Sequence, residues 1–198
     1  MRKLENAKRN AFFAALSAAY ALYVPVDTNG GAEYQKWHSG TELSSALHTN
    51  RSAKDFFFPQ TENLMDFKVT GKQIEIIDTR KEGEDFILFG VRGCDARSFD
   101  ILDRVFLTEP QDAFYAARRA CATVVTLACG EPEESCFCTN FGVDPAEPKG
   151  DATAWIIGSE MYLRAHTEKG EALLAGLEDA DGALVAAHQE RIRAIAAQ

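Results

Sequence analysis

Phe86-Ile87-Leu88-Phe89-Gly90-Val91-Arg92-Gly93-Cys94 opens with six apolar or small residues and ends on a thiol. An unbroken apolar run of this kind reads as a strand buried on both faces, as in a parallel sheet covered by helices. Thr123-Val124-Val125-Thr126-Leu127-Ala128 has the same character and runs straight into Cys129. Between the two runs, residues 95–106 open with Asp95 and place Phe99, Leu102, Val105 and Phe106 on one helical face. Residues 112–120 read as a second helix. Strand, helices, strand is the order of a parallel crossover unit. The two runs are therefore expected to be parallel neighbours. Cys94 and Cys129, 35 positions apart, then emerge at one carboxyl edge, where open α/β sheets build their sites.

Outward from this unit, residues 3–22 read as a helix with Leu4, Phe12, Leu16 and Tyr20 on one face, closed by Pro25. Tyr23–Asp27 and Ala32–Trp37 read as extended segments around an Asn29-Gly30-Gly31 turn, a hairpin. Phe56-Phe57-Phe58 is an aromatic run read as core, and Thr61–Met65 as one helical turn. Residues 67–69 and 74–77 read as strands. So do 155–157 and 161–166, around Gly158-Ser159. Residues 168–177 and 182–197 read as helices. The expected fold is mixed α/β (α+β): a central, mostly parallel sheet flanked by helices, with a small N-terminal helix–hairpin part. Residues 1–198 are expected to be one domain, with residues 1–50 as a helix–hairpin appendage.

The chain has 198 residues, 46% hydrophobic, enough for one sizeable core. Its net charge of −9 argues against nucleic acid or an anionic membrane surface as partner. No run approaches the roughly 18 apolar residues of a membrane span. The basic start at Met1–Asn10 precedes an amphipathic stretch without a clean cleavage site, so a cytoplasmic chain is expected. Five cysteines, an odd count in a reducing compartment, do not suggest a disulfide framework. His38, His48, His166 and His188 form no metal-spaced pair and read as surface or structural residues. No phosphate-binding glycine loop or nucleophile elbow is present.

Cys129, Cys136 and Cys138 fall within ten positions on a stretch bearing Gly130 and Pro132. Gathered thiolates repel one another unless a cation or an iron–sulfur core neutralises them. With Cys94 they make four ligands, which suit [4Fe–4S], [2Fe–2S] or structural zinc. Zinc sites commonly use paired C-x2–4-C knuckles, which this chain lacks, so the irregular spacing favours iron–sulfur and leaves zinc as the alternative. Cys121, between alanines at a helix–strand junction, reads as a small buried hydrophobe. Arg92 and Arg97 flank Cys94. They either stabilise a charged cluster or make surface salt bridges. Phe137 and Phe141 either cover the centre or fill the core. Glu131, Glu133 and Glu134 either steer a basic partner or are merely solvated.

Six motifs occur in order: Tyr23-Val-Pro-Val26, Phe56-Phe-Phe-Pro-Gln-Thr-Glu62, Phe89-Gly-Val-Arg-Gly-Cys-Asp-Ala-Arg97, Leu102-Asp-Arg-Val-Phe106, Phe114-Tyr-Ala-Ala-Arg-Arg119 and Cys136-Phe-Cys-Thr-Asn-Phe-Gly142. Over about residues 20–175 the chain resembles the amino-terminal domain of iron–sulfur electron-transfer subunits of the hydrogenase beta-chain and anaerobic sulfite reductase type. The resemblance implies a cytoplasmic subunit, not itself catalytic, that passes electrons between a flavin-bearing partner and a catalytic subunit. It implies that Cys94, Cys129, Cys136 and Cys138 hold a [4Fe–4S] cluster. Gly93 stands where family members often carry proline, a difference expected to matter little. The family continues into a dicluster ferredoxin domain with C-x2-C-x2-C-x3-C runs, which these 198 residues do not contain. The competing readings are a zinc-binding or metal-free interaction module, and an enzyme with a substrate beside the cluster. No acid–base constellation supports the latter.

Overall fold

In chain order the elements are β1 (Arg2–Leu4), α1 (Asn6–Ala19), β2 (Ala21–Thr28), β3 (Gly31–Lys36), β4 (Asp66–Thr70), β5 (Gln73–Ile77) and β6 (Phe86–Val91). There follow α2 (Gly93–Phe106), α3 (Ala113–Cys121), β7 (Ala122–Leu127), β8 (Ala152–Ile157), β9 (Glu160–Ala165), α4 (Glu168–Leu174), β10 (Glu178–Asp179) and α5 (Ala183–Ala196). Short 3-10 turns cover Ala53–Phe56 and Cys138–Phe141. The computed structural model describes residues 1–78 and 83–197.

Eight strands form one sheet in the order β10-β1-β9-β8-β7-β6-β2-β3. The middle of it is parallel, through β2–β6, β6–β7 and β7–β8, and the flanking pairs are antiparallel. The expected mixed α/β architecture is the one observed. The crossover unit is as read: β6 and β7 pair in parallel, Phe86 opposite Ala122 and Leu88 opposite Val124, with α2 and α3 between them in sequence.

Alternation explains why these runs are apolar throughout. Ile87, Phe89, Val125 and Leu127 face one core with Phe13 and Leu16 of α1. Leu88, Val91 and Val124 face the other, with Phe99 of α2 and Tyr115 of α3. Successive side chains of a strand point to opposite faces, so a strand covered on both sides needs apolar residues at every position. Within the Phe56–Phe58 run, Phe57 is fully buried and meets Phe99 edge-on at 4.8 Å, whereas Phe58 is exposed. Register slips between Phe89 and Val91 at Gly90, whose φ of 85° favours glycine. A Cβ there would stand 3.0 Å from Pro25 Cδ of the neighbouring strand.

Two local expectations are corrected. The helix expected over residues 3–22 is shorter at both ends: Arg2–Leu4 form β1, and β2 begins at Ala21. Leu4 is buried there through pairing with β9, some 160 residues away, a contact invisible to local periodicity. Thr61–Met65 is not helical. Leu64 and Met65 are exposed, so no packing face stabilises a short helix there. The strands near 67–69 and 74–77 exist, but they form a separate ribbon with Phe67, Val69, Ile74 and Ile76 exposed.

Candidate functional site

Arg92 leads from β6 into α2 as its N-cap, which puts Cys94 in the first turn of that helix. Cys129 lies two residues beyond the end of β7. Cys136 and Cys138 lie on the connection from β7 to its parallel neighbour β8. Cys121, the last residue of α3, precedes the amino end of β7, where its Sγ contacts Gly83 O at 3.5 Å. The fold therefore separates Cys121 from the four candidates by the length of a strand.

Backbone contacts hold the cysteine connection. Cys129 N donates to Pro145 O at 2.9 Å, Cys136 N to Glu133 O at 2.9 Å and Val143 N to Cys138 O at 3.1 Å. Glu133 N donates to Cys136 Sγ at 3.3 Å. Gly142 ends the Cys138–Phe141 turn at φ 67°. The Arg92 guanidinium donates to Ala128 O at 3.1 Å and Ala46 O at 3.0 Å, tying the ends of β6 and β7 to a distant loop. From the other side α5 clasps the connection: Arg193 pairs with Asp144 at 2.7 Å, and Arg191 donates to Gly130 O at 3.3 Å.

Two cavities meet here. One, of about 310 Å³, is lined by Cys94, Cys136, Cys138, His48, Phe137 and Phe141 among others. The second, of about 180 Å³, is lined by Cys129, Cys136, Cys138 and, from α5, Ile195 and Ala196. Cys136 and Cys138 belong to both walls. All five cysteines are free thiols. Among the described residues no group of three or more His, Cys, Asp or Glu is ready-made for a metal ion.

The electrostatics of the thiols follow from burial and from each other. Burial pushes the Cys129 thiol up to about 11, with Cys138, Cys94 and Cys136 adding to the rise and Arg92 opposing it. Cys94 is raised by burial, then by Asp95 and Cys138. Cys138 is raised by burial and by Cys136. As bare thiols these groups therefore hold their protons at neutral pH. A cation among them would reverse the balance, because it favours the thiolate.

Other flanking residues divide. Arg97 makes the surface salt bridge, to Asp100 at 2.9 Å, while Arg92 makes backbone bonds and acts on Cys129. Phe137 and Phe141 are not core: they are 61% and 60% exposed, and their rings meet at 5.6 Å. Glu131, Glu133 and Glu134 are exposed beside them. A Cβ on Gly93 would stand 2.9 Å from both Pro148 Cβ and Val143 Cγ1, so Gly93 lets the connection pack against the start of α2. This close fit gives Gly93 a packing role that its sequence position did not suggest.

One residue escaped sequence reasoning. His48 reaches the site from the loop after β3, with Nε2 3.9 Å from Cys136 Sγ and 3.8 Å from Glu133 Oε2. It stands 88 positions from Cys136, and no spacing pattern links them. The reading of His166 as structural agrees with its contact to Thr153 Oγ1 at 2.9 Å. No helix among the described residues is long and apolar enough to cross a membrane.

Fold and site together define an α/β domain with a cysteine-bearing connection at the carboxyl edge of its parallel strands. Over 169 residues the sequence is 34% identical to the sulfhydrogenase 2 subunit beta of Pyrococcus furiosus, covering 85% of this chain and 49% of that protein. The chain thus spans about half the length of this relative. No family model matches the sequence, and no solved structure matches it.

Proposed function

We propose that the chain is a single iron–sulfur domain of a cytoplasmic, hydrogenase-type redox complex, non-catalytic in itself, which relays electrons between a flavin-bearing partner and a catalytic subunit. Cys94, Cys129, Cys136 and Cys138 would hold a [4Fe–4S] cluster, which when bound supplies one-electron exchange. The observation that carries this reading is the pair of adjoining cavities: between them they are lined by all four thiols, and they share Cys136 and Cys138. The donor set fits such a group. Four soft sulfur ligands, with Cys94, Cys129 and Cys138 raised in proton affinity, are the kind of set that a cluster neutralises and deprotonates. Similarity to a sulfhydrogenase beta subunit supports the redox class.

The chain's own residues have distinct tasks in this reading. Arg92 places a cation beside Cys129 and locks the strand ends. Phe137 and Phe141 limit solvent access to the sulfurs, which tunes the potential. The α5 clasp through Arg193 holds the connection against the domain.

Iron and acid-labile sulfide, measured on chain purified without oxygen, test the proposal. Roughly four irons and four sulfides per chain are expected of such a cluster. Stoichiometric zinc without sulfide would replace it with the structural-module reading.

A further inference from the structure

We infer that His48 is a positioning residue of the cysteine centre, donating its Nε2–H to the sulfur of Cys136. The inference rests on the proposed four-cysteine site and adds a residue to it.

Three observations carry it. The imidazole lines the same cavity as Cys94, Cys136 and Cys138. Nε2 faces the Cys136 sulfur at 3.9 Å, which as a cluster-bound thiolate can only accept, and a Glu133 carboxylate oxygen at 3.8 Å, which also accepts. Two acceptors on one ring nitrogen favour the tautomer that carries its proton there. The loop is also held on both sides of His48. Ala46 O accepts from Arg92 at 3.0 Å, and Asn50 N donates to Ala32 O at 2.7 Å, next to a bridge between Ala32 and Thr49. The histidine is thus delivered by a fixed segment.

Cys136 already accepts from Glu133 N at 3.3 Å. His48 gives it a second donor, so that one comes from its own loop and one from the loop after β3. Hydrogen bonds to cluster sulfurs stabilise the more negative, reduced form and raise the reduction potential. His48 therefore makes the centre easier to reduce.

The test compares wild-type chain with His48→Phe, which keeps a ring but no donor, and His48→Gln, which restores an N–H. Iron is counted, and the centre is titrated potentiometrically. At the potential where the wild type is half reduced, the reduced-to-oxidised ratio in His48→Phe should fall about fivefold, the worth of one hydrogen bond. His48→Gln should recover most of it, with iron content equal in all three. A purely structural role would not give that pattern of loss and rescue. An unchanged midpoint in loaded His48→Phe overturns the inference. So does iron loss as large as in Cys138→Ala, which would make His48 a ligand instead. If the wild type holds neither iron nor sulfide, the proposed function fails, and the metal-free chain decides His48 alone. Iodoacetamide labelling of Cys136, read by peptide mass spectrometry, should then be severalfold slower in His48→Phe, with Cys121 unchanged. Equal rates at Cys136 would refute the contact.

Discussion

Gly93→Ala places one methyl group where the site is tightest. The added Cβ would lie 2.9 Å from Pro148 Cβ and 2.9 Å from Val143 Cγ1. Neither neighbour yields easily. Pro148 O accepts from Thr126 Oγ1 at 3.0 Å and from Thr153 Oγ1 at 2.7 Å, and both threonines are fully buried. Val143 N donates to Cys138 O, so moving Val143 displaces the backbone of a candidate ligand. Overpacking of this kind costs about 1–3 kcal/mol. The unfolded chain loses entropy with alanine, which returns about 0.4–1 kcal/mol. The clash is the larger effect, and a net loss of about 1–2 kcal/mol is expected by urea unfolding. Iron retention should fall as well, because the strain enters the site between Cys94 and Cys138. Gly176→Ala is the control, since nothing lies within 4 Å of its Cβ position. If Gly93→Ala unfolds at the same urea concentration as wild type, the close approach of connection and helix is wrong.

Cys121→Ala should leave iron per chain unchanged while Cys138→Ala lowers it, since Cys121 sits at the opposite end of β7; equal loss would show that the ligand set is misassigned. In the metal-free chain, Cys129 stabilises the fold as a protonated thiol, because its folded value of about 11 lies above the ordinary 9.0. That contribution is intact below pH 9 and is lost as pH rises through about 11, to the extent of a few kcal/mol at most, so Cys129→Ser should flatten the alkaline limb of the stability profile. Asp103→Ala removes the acceptor of the buried Tyr115 hydroxyl at 2.6 Å and the partner of Arg119 at 3.1 Å, and should destabilise the crossover helices by about 1–3 kcal/mol in thermal unfolding. Glu133→Lys with Glu134→Lys should slow electron transfer in a reconstituted complex and weaken its dependence on salt; an unchanged rate and salt slope would remove the cysteine connection as the docking face.

The order of strands and helices around residues 86–128 was legible because its determinants are local. An unbroken apolar run marks a strand covered on both faces, and the spacing of Phe99, Leu102 and Phe106 marks a helix. Parallel pairing then follows from the crossover, and it delivers Cys94 and Cys129 to one edge. The candidate thiols were legible too, because three of them are close in sequence and Cys94 ends a strand run. What the sequence left open depended on contacts between distant segments. Arg2–Leu4 becomes a strand only because β9 and β10 present free edges, and no residue near Leu4 encodes that. Phe137 and Phe141 have the composition of core residues, and only the path of the connection leaves them at the surface. His48, Arg92 on Ala46 O, and the α5 clasp reach the site from three separate parts of the chain. Local periodicity reports which face of an element is apolar; which elements meet over the cysteines is set by sheet order and by the close fit at Gly93, and these exist only in the folded chain.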